Sequence, residues 1–320
     1  MVFFSSLTKW STAFCSWILC PNSCWLQWEL TLTDTRSLSP RTVGSATFPS
    51  TETCGSENPA PTEAPFTSWT CVRGGPSPSS ISAKRFRPHC AHFGPDGLLY
   101  VSAELANAIY IVDTQTRSLV GEIPTGASHT HMFVISPDGQ RMYTANNEAG
   151  SVSVLDVRAR TLLATIPISK KVQRISISPD GKFVFTQDQE TPRIVVIDTS
   201  TKAVVRSISL PSVAFSTAIT KDGRWLLANS ESGKLFVVDV VSGVLTRTFD
   251  TPDVPVLPTP GEFALAPDGM HAHLSCPQGG TIEILNLKDW KLEEPIRLTK
   301  GVDGMAWVPA TISSATSEAR

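Results

Sequence analysis

The stretch "HTHMFVISPDGQRMYTANNEAGSVSVLD", residues 129–156, decides the fold. "HMFVIS" is apolar and stops at a Pro-Asp-Gly turn, "QRMYTA" alternates, "NNEAG" turns, and "SVSVLD" alternates again. Further on, "RART" turns and "LLATIPI" closes the unit. Each run is β-branched or aromatic at the positions that pack, with Gly, Asn, Asp or Pro at the breaks. That is the pattern of short antiparallel strands, and no segment shows a helical period.

The unit recurs along the chain. Asp96-Gly97, Asp138-Gly139, Asp180-Gly181 and Asp222-Gly223 follow one another at a constant spacing of 42, and Asp268-Gly269 comes 46 later. A second marker keeps the same phase, with "YIVD" ending at Asp113, "SVLD" at Asp156, "VVID" at Asp198, "FVVD" at Asp239 and "EILN" at Asn286. Five units run from about 86 to 298, and "GVDGMAWVPA", residues 301–310, opens another that stops after one strand. One small four-stranded sheet cannot bury both of its faces until neighbouring sheets stack around an axis. The expectation is therefore an all-β propeller of four-stranded antiparallel blades, five complete blades plus one closing strand, occupying 86–310 with a C-terminal tail at 311–320.

Composition narrows the partners. The chain has 320 residues with 27 basic against 29 acidic side chains, which gives no electrostatic reason to expect nucleic acid. No run reaches the roughly eighteen apolar residues of a membrane-spanning helix. Residues 1–85 belong to another kind of chain: about a third Ser plus Thr, no period, no Asp-Gly turn, five of the eight Trp and five of the seven Cys. This segment reads as atypical, either a disordered Ser/Thr/Pro-rich extension or a non-native product of a shifted frame or wrong start. A secretory signal at 10–20 is disfavoured because its apolar run is broken by polar residues. The propeller itself holds only Cys90 and Cys276, in different units, so neither a disulfide framework nor a Cys-based zinc site is expected.

The units "PHCAHFGPDGLLYVSAELANAIYIVD", "HTHMFVISPDGQRMYTANNEAGSVSVLD" and "VQRISISPDGKFVFTQDQETPRIVVID" resemble the YVTN-type β-propeller repeat, a WD40-like family built as seven blades. The resemblance covers 86–309 and implies a seven-bladed ancestor and a periplasmic or secreted location. Its relatives include lactonase-like hydrolases of sugar lactones, cytochrome d1-type propellers that hold haem d1, the copper-cluster propeller of nitrous oxide reductase, and binding modules. Fold alone does not choose among them.

The repeat register selects candidate site residues. The seventh residue before each turn Asp is His89, His131, Gln173, Phe215 and Gly261, with Asp303 in the lone strand. In a YVTN-type blade this is the top of the innermost strand, so the resemblance implies that the set rings the mouth of the central channel, with His129 in the loop leading in. A copper cluster would require histidine on nearly every blade, and two of six positions have one, which excludes it. The loops between second and third strands add Glu104, Asn146, Glu148, Asp188, Glu190, Asn229 and Glu231 to the same rim. Acceptors beside histidines suit a divalent cation or a hydroxyl-rich ligand and would position a water for hydrolysis; equally, Asn, Asp and Glu are what tight turns use. His271 and His273 share one strand face, as two metal ligands would, but occupy slots filled by Phe183 and Phe185 in another unit and are read as packing residues. The leading expectation is a binding or scaffold propeller whose small-molecule or protein ligand sits over the channel mouth. A lactonase-like hydrolase and a holder of haem or another redox cofactor are the alternatives, with His89 or His131 as axial ligand in the latter.

Overall fold

The computed structural model describes residues 87–116, 118–251, 261–298 and the strand Met305–Pro309, together with three short strands, Trp10–Phe14, Leu26–Gln27 and Thr70–Cys71. The rest of the segment 1–85, the tail 311–320 and Asp303 lie outside the described residues.

Blade 1 consists of Pro88–Phe93, Leu99–Ala103, Ala108–Asp113 and Ser118–Pro124; blade 2 of Thr130–Ile135, Arg141–Asn146, Ser151–Asp156 and Thr161–Pro167. Blade 3 is Val172–Ile177, Phe183–Asp188, Arg193–Asp198 and Ala203–Ser209, and blade 4 is Ala214–Ile219, Trp225–Ser230, Lys234–Asp239 and Leu245–Asp250. In each, consecutive strands pair antiparallel in a simple meander. The fold is the all-β propeller that the periodicity predicts. Blade 5 departs from the four-strand expectation, since after Phe263–Leu265, His271–Cys276 and Thr281–Asn286 its outer strand is split into Lys291–Leu292 and Ile296–Arg297, both pairing with Thr281–Asn286. Pro295 sits in the break, and a residue without an N–H cannot hold a ladder. The lone strand Met305–Pro309 lies against Phe263–Leu265 and pairs antiparallel with Trp10–Phe14, Trp10 opposite Pro309 and Phe14 opposite Met305.

Burial follows strand position. The second strands are almost entirely buried, whereas the outer strands alternate and leave most residues exposed. The core is thus a series of apolar layers between adjacent blades. One contains Phe185, Val196 and Ile208 of blade 3 with Ile219, Leu226 and Phe236 of blade 4. First strands of successive blades touch one another and so line the axis.

Two repeated carboxylates close the hairpins. In the turn after the first strand of blade 2, Asp138 Oδ1 accepts from Ser136 Oγ at 2.6 Å and from the Gln140 N–H at 3.0 Å, while Gly139 takes φ +71°. Asp180 and Asp222 repeat this. In the outer hairpins Asp156, Asp198 and Asp239 accept the N–H groups of residues two or three further on. The residue four after that Asp, or after Asn286 in blade 5, is left-handed in blades 2 to 5: Arg160, Lys202, Gly243 and Trp290.

His273 occupies a packing slot. It is buried, meets Trp307 edge-on with ring centroids 5.0 Å apart, and its imidazole is pushed down to about 4, chiefly by burial and then by the nearby His271. His271 faces Asp268 and Glu293 at 3.7 and 3.6 Å. The two are not gathered with a further ligating group among the described residues.

Two outcomes are expected. Lys202→Gly should raise stability by about 0.5–1 kcal/mol in denaturant unfolding, since Lys202 is exposed at φ +54° and blade 4 already carries glycine there. His273 has a folded pKa below that of free imidazole, so the unfolded chain protonates first. Its contribution is fully present above about pH 6.5 and is lost as pH falls towards 4. His273→Phe should flatten the acid-side fall of the unfolding free energy over that window, by at most on the order of 3 kcal/mol, as read by denaturant unfolding against pH.

Candidate ligand site at the channel mouth

The first strands do not run straight. In blades 1 to 4 the pairing of first with second strand slips just past its beginning, between Pro88 and Ala91, Thr130 and Met132, Val172 and Ile175, and Ala214 and Thr217. The slipped positions are His89, His131, Gln173 and Phe215, the set selected by the repeat register. A bulge places extra residues opposite one partner and re-aims their side chains, here at the mouth of the channel and at the opposite end of the strand from the Asp-Gly turns. Each bulge is pinned by side chains on the second strands. Ser102 Oγ contacts the Cys90 N–H at 2.8 Å and donates to the His131 carbonyl of the next blade at 2.7 Å; Thr186 donates to the Arg174 carbonyl at 2.8 Å. Asn229 accepts from the Ser216 N–H at 2.7 Å, while Ser216 Oγ donates across to the Gly261 carbonyl at 2.8 Å. Gly261 lies so close to the Ser275 carbonyl that an added Cβ would sit 1.6 Å from it, so this position is restricted to glycine.

The structure brings His89, His131, Glu104 and Gln173 together. The His89 and His131 rings stack with centroids 3.6 Å apart and planes tilted by 42°. Glu104, at the start of a short 3-10 turn Glu104–Ala106, is 2% exposed, with Oε1 3.6 Å from His131 Nε2 and Oε2 3.0 Å from Arg87 Nε. The amide nitrogen of Gln173 lies 3.3 Å from the same His131 Nε2. The consistent tautomer therefore has a lone pair on Nε2 and a proton on Nδ1, which is buried and has no hydrogen-bond partner among the described residues. Beside Gln173, the buried Arg174 reaches from blade 3 to Glu262 before the first strand of blade 5, Nη1 to Oε2 3.9 Å.

The electrostatics favour neutral imidazoles. His131 is pushed far below the ordinary histidine range by burial, then by His89, Arg174 and Arg87. His89, which keeps an exposed edge, is lowered to about 4 by desolvation in the crowded mouth and then by the same two arginines. Burial raises the Glu104 carboxyl, while Arg87 and His129 oppose the rise.

Other sequence-selected residues take different roles. His129, left-handed at φ +55°, is held by its N–H on Asn107 Oδ1 at 3.1 Å and faces the exposed Glu148 at 3.4 Å, forming the outer edge of the site. Asp188 is 1% exposed and committed to its own loop, accepting from the Glu190 and Thr191 N–H groups and from Arg193 Nε at 3.0 Å. Asn146 is likewise a buried hub between Thr130, Thr144, Ser151 and Ser153. Arg87, Arg174 and Glu262 were not visible in the sequence as site residues. The one hint was Arg174, a charged residue within the first-strand run "VQRISI". Cys90 is buried, with its thiol pushed up to about 12 by burial, and is chemically inert.

Residues 93–240 match the model of the cytochrome D1 heme domain, a stretch that contains Glu104, His131, Gln173 and Arg174. The fold is a β-propeller, as the sheets show and as the likeness to a solved structure supports. A solved structure described as Kuenenia stuttgartiensis hydrazine synthase superposes with this propeller at a TM-score of 0.59 and 23% identity, over 67% of each chain, a likeness that concerns architecture alone. No curated protein sequence matches the chain.

The division of roles has a measurable consequence. Asp188→Ala, which strips a buried carboxylate from two N–H groups and an arginine, should cost about 2–4 kcal/mol in denaturant unfolding. Glu148→Ala should stay within about 0.5 kcal/mol of the parent, as an exposed pair with histidine does.

Proposed function

We propose that this protein is a binding propeller whose small-molecule ligand sits at the channel mouth, with His131 as the anchoring donor. The observation that carries the reading is a buried imidazole ringed by His89, Glu104 and Gln173, with its Nδ1 left without a hydrogen-bond partner among the described residues. A buried polar atom in that state costs about 1–3 kcal/mol, and a site that tolerates the cost is one where a bound group or water relieves it. Arg87 and Arg174 bring positive charge to the same place, which suits a ligand bearing carboxylate or phosphate groups. The donors are recessed, so a small molecule reaches them better than a protein surface does.

The match to the cytochrome D1 heme domain favours one ligand in particular, an iron tetrapyrrole of the haem d1 kind. The residues present fit such a group in chemical type. His131 is neutral with a lone pair on Nε2 that can ligate iron, and Arg87 and Arg174 can pair with the carboxylates of a macrocycle. Bound there, the group would supply one-electron redox chemistry. The chain's own part is positional. His89 stacks on His131 and limits its rotation, Glu104 and Gln173 fix the ring edge, and Glu262 steadies Arg174.

Titration of the full chain with ferric haem b, followed in the visible and near-ultraviolet, tests the tetrapyrrole reading. A saturable Soret shift is expected, weakened at least ~10-fold in affinity by His131→Ala, in line with loss of the side chain that would hold the iron. Absence of a shift, or a shift indifferent to His131→Ala, overturns it.

A further inference from the structure

Three groups at the mouth have a relationship that hydrogen bonding does not account for. One ligand atom each from His89, Glu104 and His131 falls within 4.8 Å of the others, and Glu104 and His131 are both almost fully buried. His131 Nε2 and Glu104 Oε1 stand 3.6 Å apart, beyond hydrogen-bond length. Two ligands on one tetrahedral ion with bonds of about 2.1 Å stand about 3.4 Å apart. The gap between imidazole and carboxylate is therefore the gap a small cation would span.

The surroundings support the same reading. Oε2 of Glu104 lies 3.0 Å from Arg87 Nε as an ion pair but has no hydrogen-bond partner among the described residues, and Oε1 faces His131, so neither carboxylate oxygen is committed to the scaffold. The lone pair on His131 Nε2 faces that oxygen, with the Gln173 amide beside it at 3.3 Å. His89 lies on the exposed side of His131 and can swing onto an ion without disturbing the core. Two imidazoles and one carboxylate leave a coordination position towards the open mouth, the arrangement of a catalytic or substrate-binding ion and not of a sealed structural one. Positive charge from Arg87 and Arg174 opposes a cation, and the Glu104 carboxylate together with an anionic ligand at the open position offsets it.

We propose that His89, Glu104 and His131 form a binding site for a divalent first-row transition ion, zinc or ferrous iron, whose open position receives the ligand of the channel mouth. The inference rests on the binding reading of this site and names its anchor. It is distinct from a tetrapyrrole, because the protein itself provides three ligands on one side of the ion.

Cobalt(II) is the probe, added to the full chain after exhaustive chelation and removal of the chelator. Saturable visible absorption of the intensity that four- or five-coordinate cobalt gives is expected, and zinc should bleach it by displacement. Glu104→Gln, which preserves shape, and His131→Ala should each weaken cobalt binding at least ~100-fold. His271→Ala, in the other histidine pair, should leave it unchanged. Circular dichroism and melting temperature establish that each variant is folded, and Glu104→Gln decides the case should His131→Ala unfold. Cobalt that shows only the pale spectrum of the hydrated ion, or binding unaffected by Glu104→Gln, overturns the metal site. In that event a haem b response that still depends on His131 leaves the binding reading standing. Loss of both responses removes the binding reading as well.

Discussion

Every part of this molecule depends on the two-faced burial of the second and third strands. Each blade contributes sheets whose central strands are buried on both sides, and a lone sheet of four short strands would leave one of those faces in water. Stacking blade on blade satisfies both faces and forces the first strands into a ring around an axis. Once the ring exists, whatever projects from the start of a first strand is carried to a common place. The site is a by-product of packing that the loops and bulges then refine.

Much of this was legible from periodicity. Asp-Gly turns at a constant interval are visible because tight turns accept few residues, and five units therefore gave the blades and the shared register of His89 and His131. The turn aspartates are hydrogen-bonded into their own hairpins, as their residue type suggests. Blade 5 was less legible. Pro295 splits its outer strand, while the run "WKLEEPIRL" reads as one loosely alternating stretch.

The chemistry was legible only in part, for two physical reasons. Strand reasoning assigns alternate residues to opposite faces, so Arg174, next to Gln173, would belong to the other face; the bulge breaks that alternation, and the charge of Arg174 is felt at His89 and His131 while Gln173 touches His131. The rim acceptors are ambiguous for a different reason. Asp188, Asn146 and Asn229 have the composition of a ligand site and the hydrogen bonding of a loop scaffold, because the same oxygens serve both purposes. Glu104 escapes this ambiguity. Its partners are a cation and an imidazole, and none of its recorded contacts closes its own turn.

The outer strands carry a further implication. Val120, Leu162, Leu163, Val204 and Val205 stand exposed along the perimeter, on strands with one unpaired edge. Edges of this kind invite strand-to-strand association. In blades 1 to 4 the outermost pairing contains its own slip, at Ile111/Val112, Val154/Leu155, Val196/Ile197 and Val237/Val238. A slip there kinks the margin and spoils the flat template that an incoming β-ribbon would need. The same small irregularity thus guards the circumference in its outer position and re-aims side chains in its inner one. A drift in sequence that straightened the rim would show as turbidity in concentrated solution.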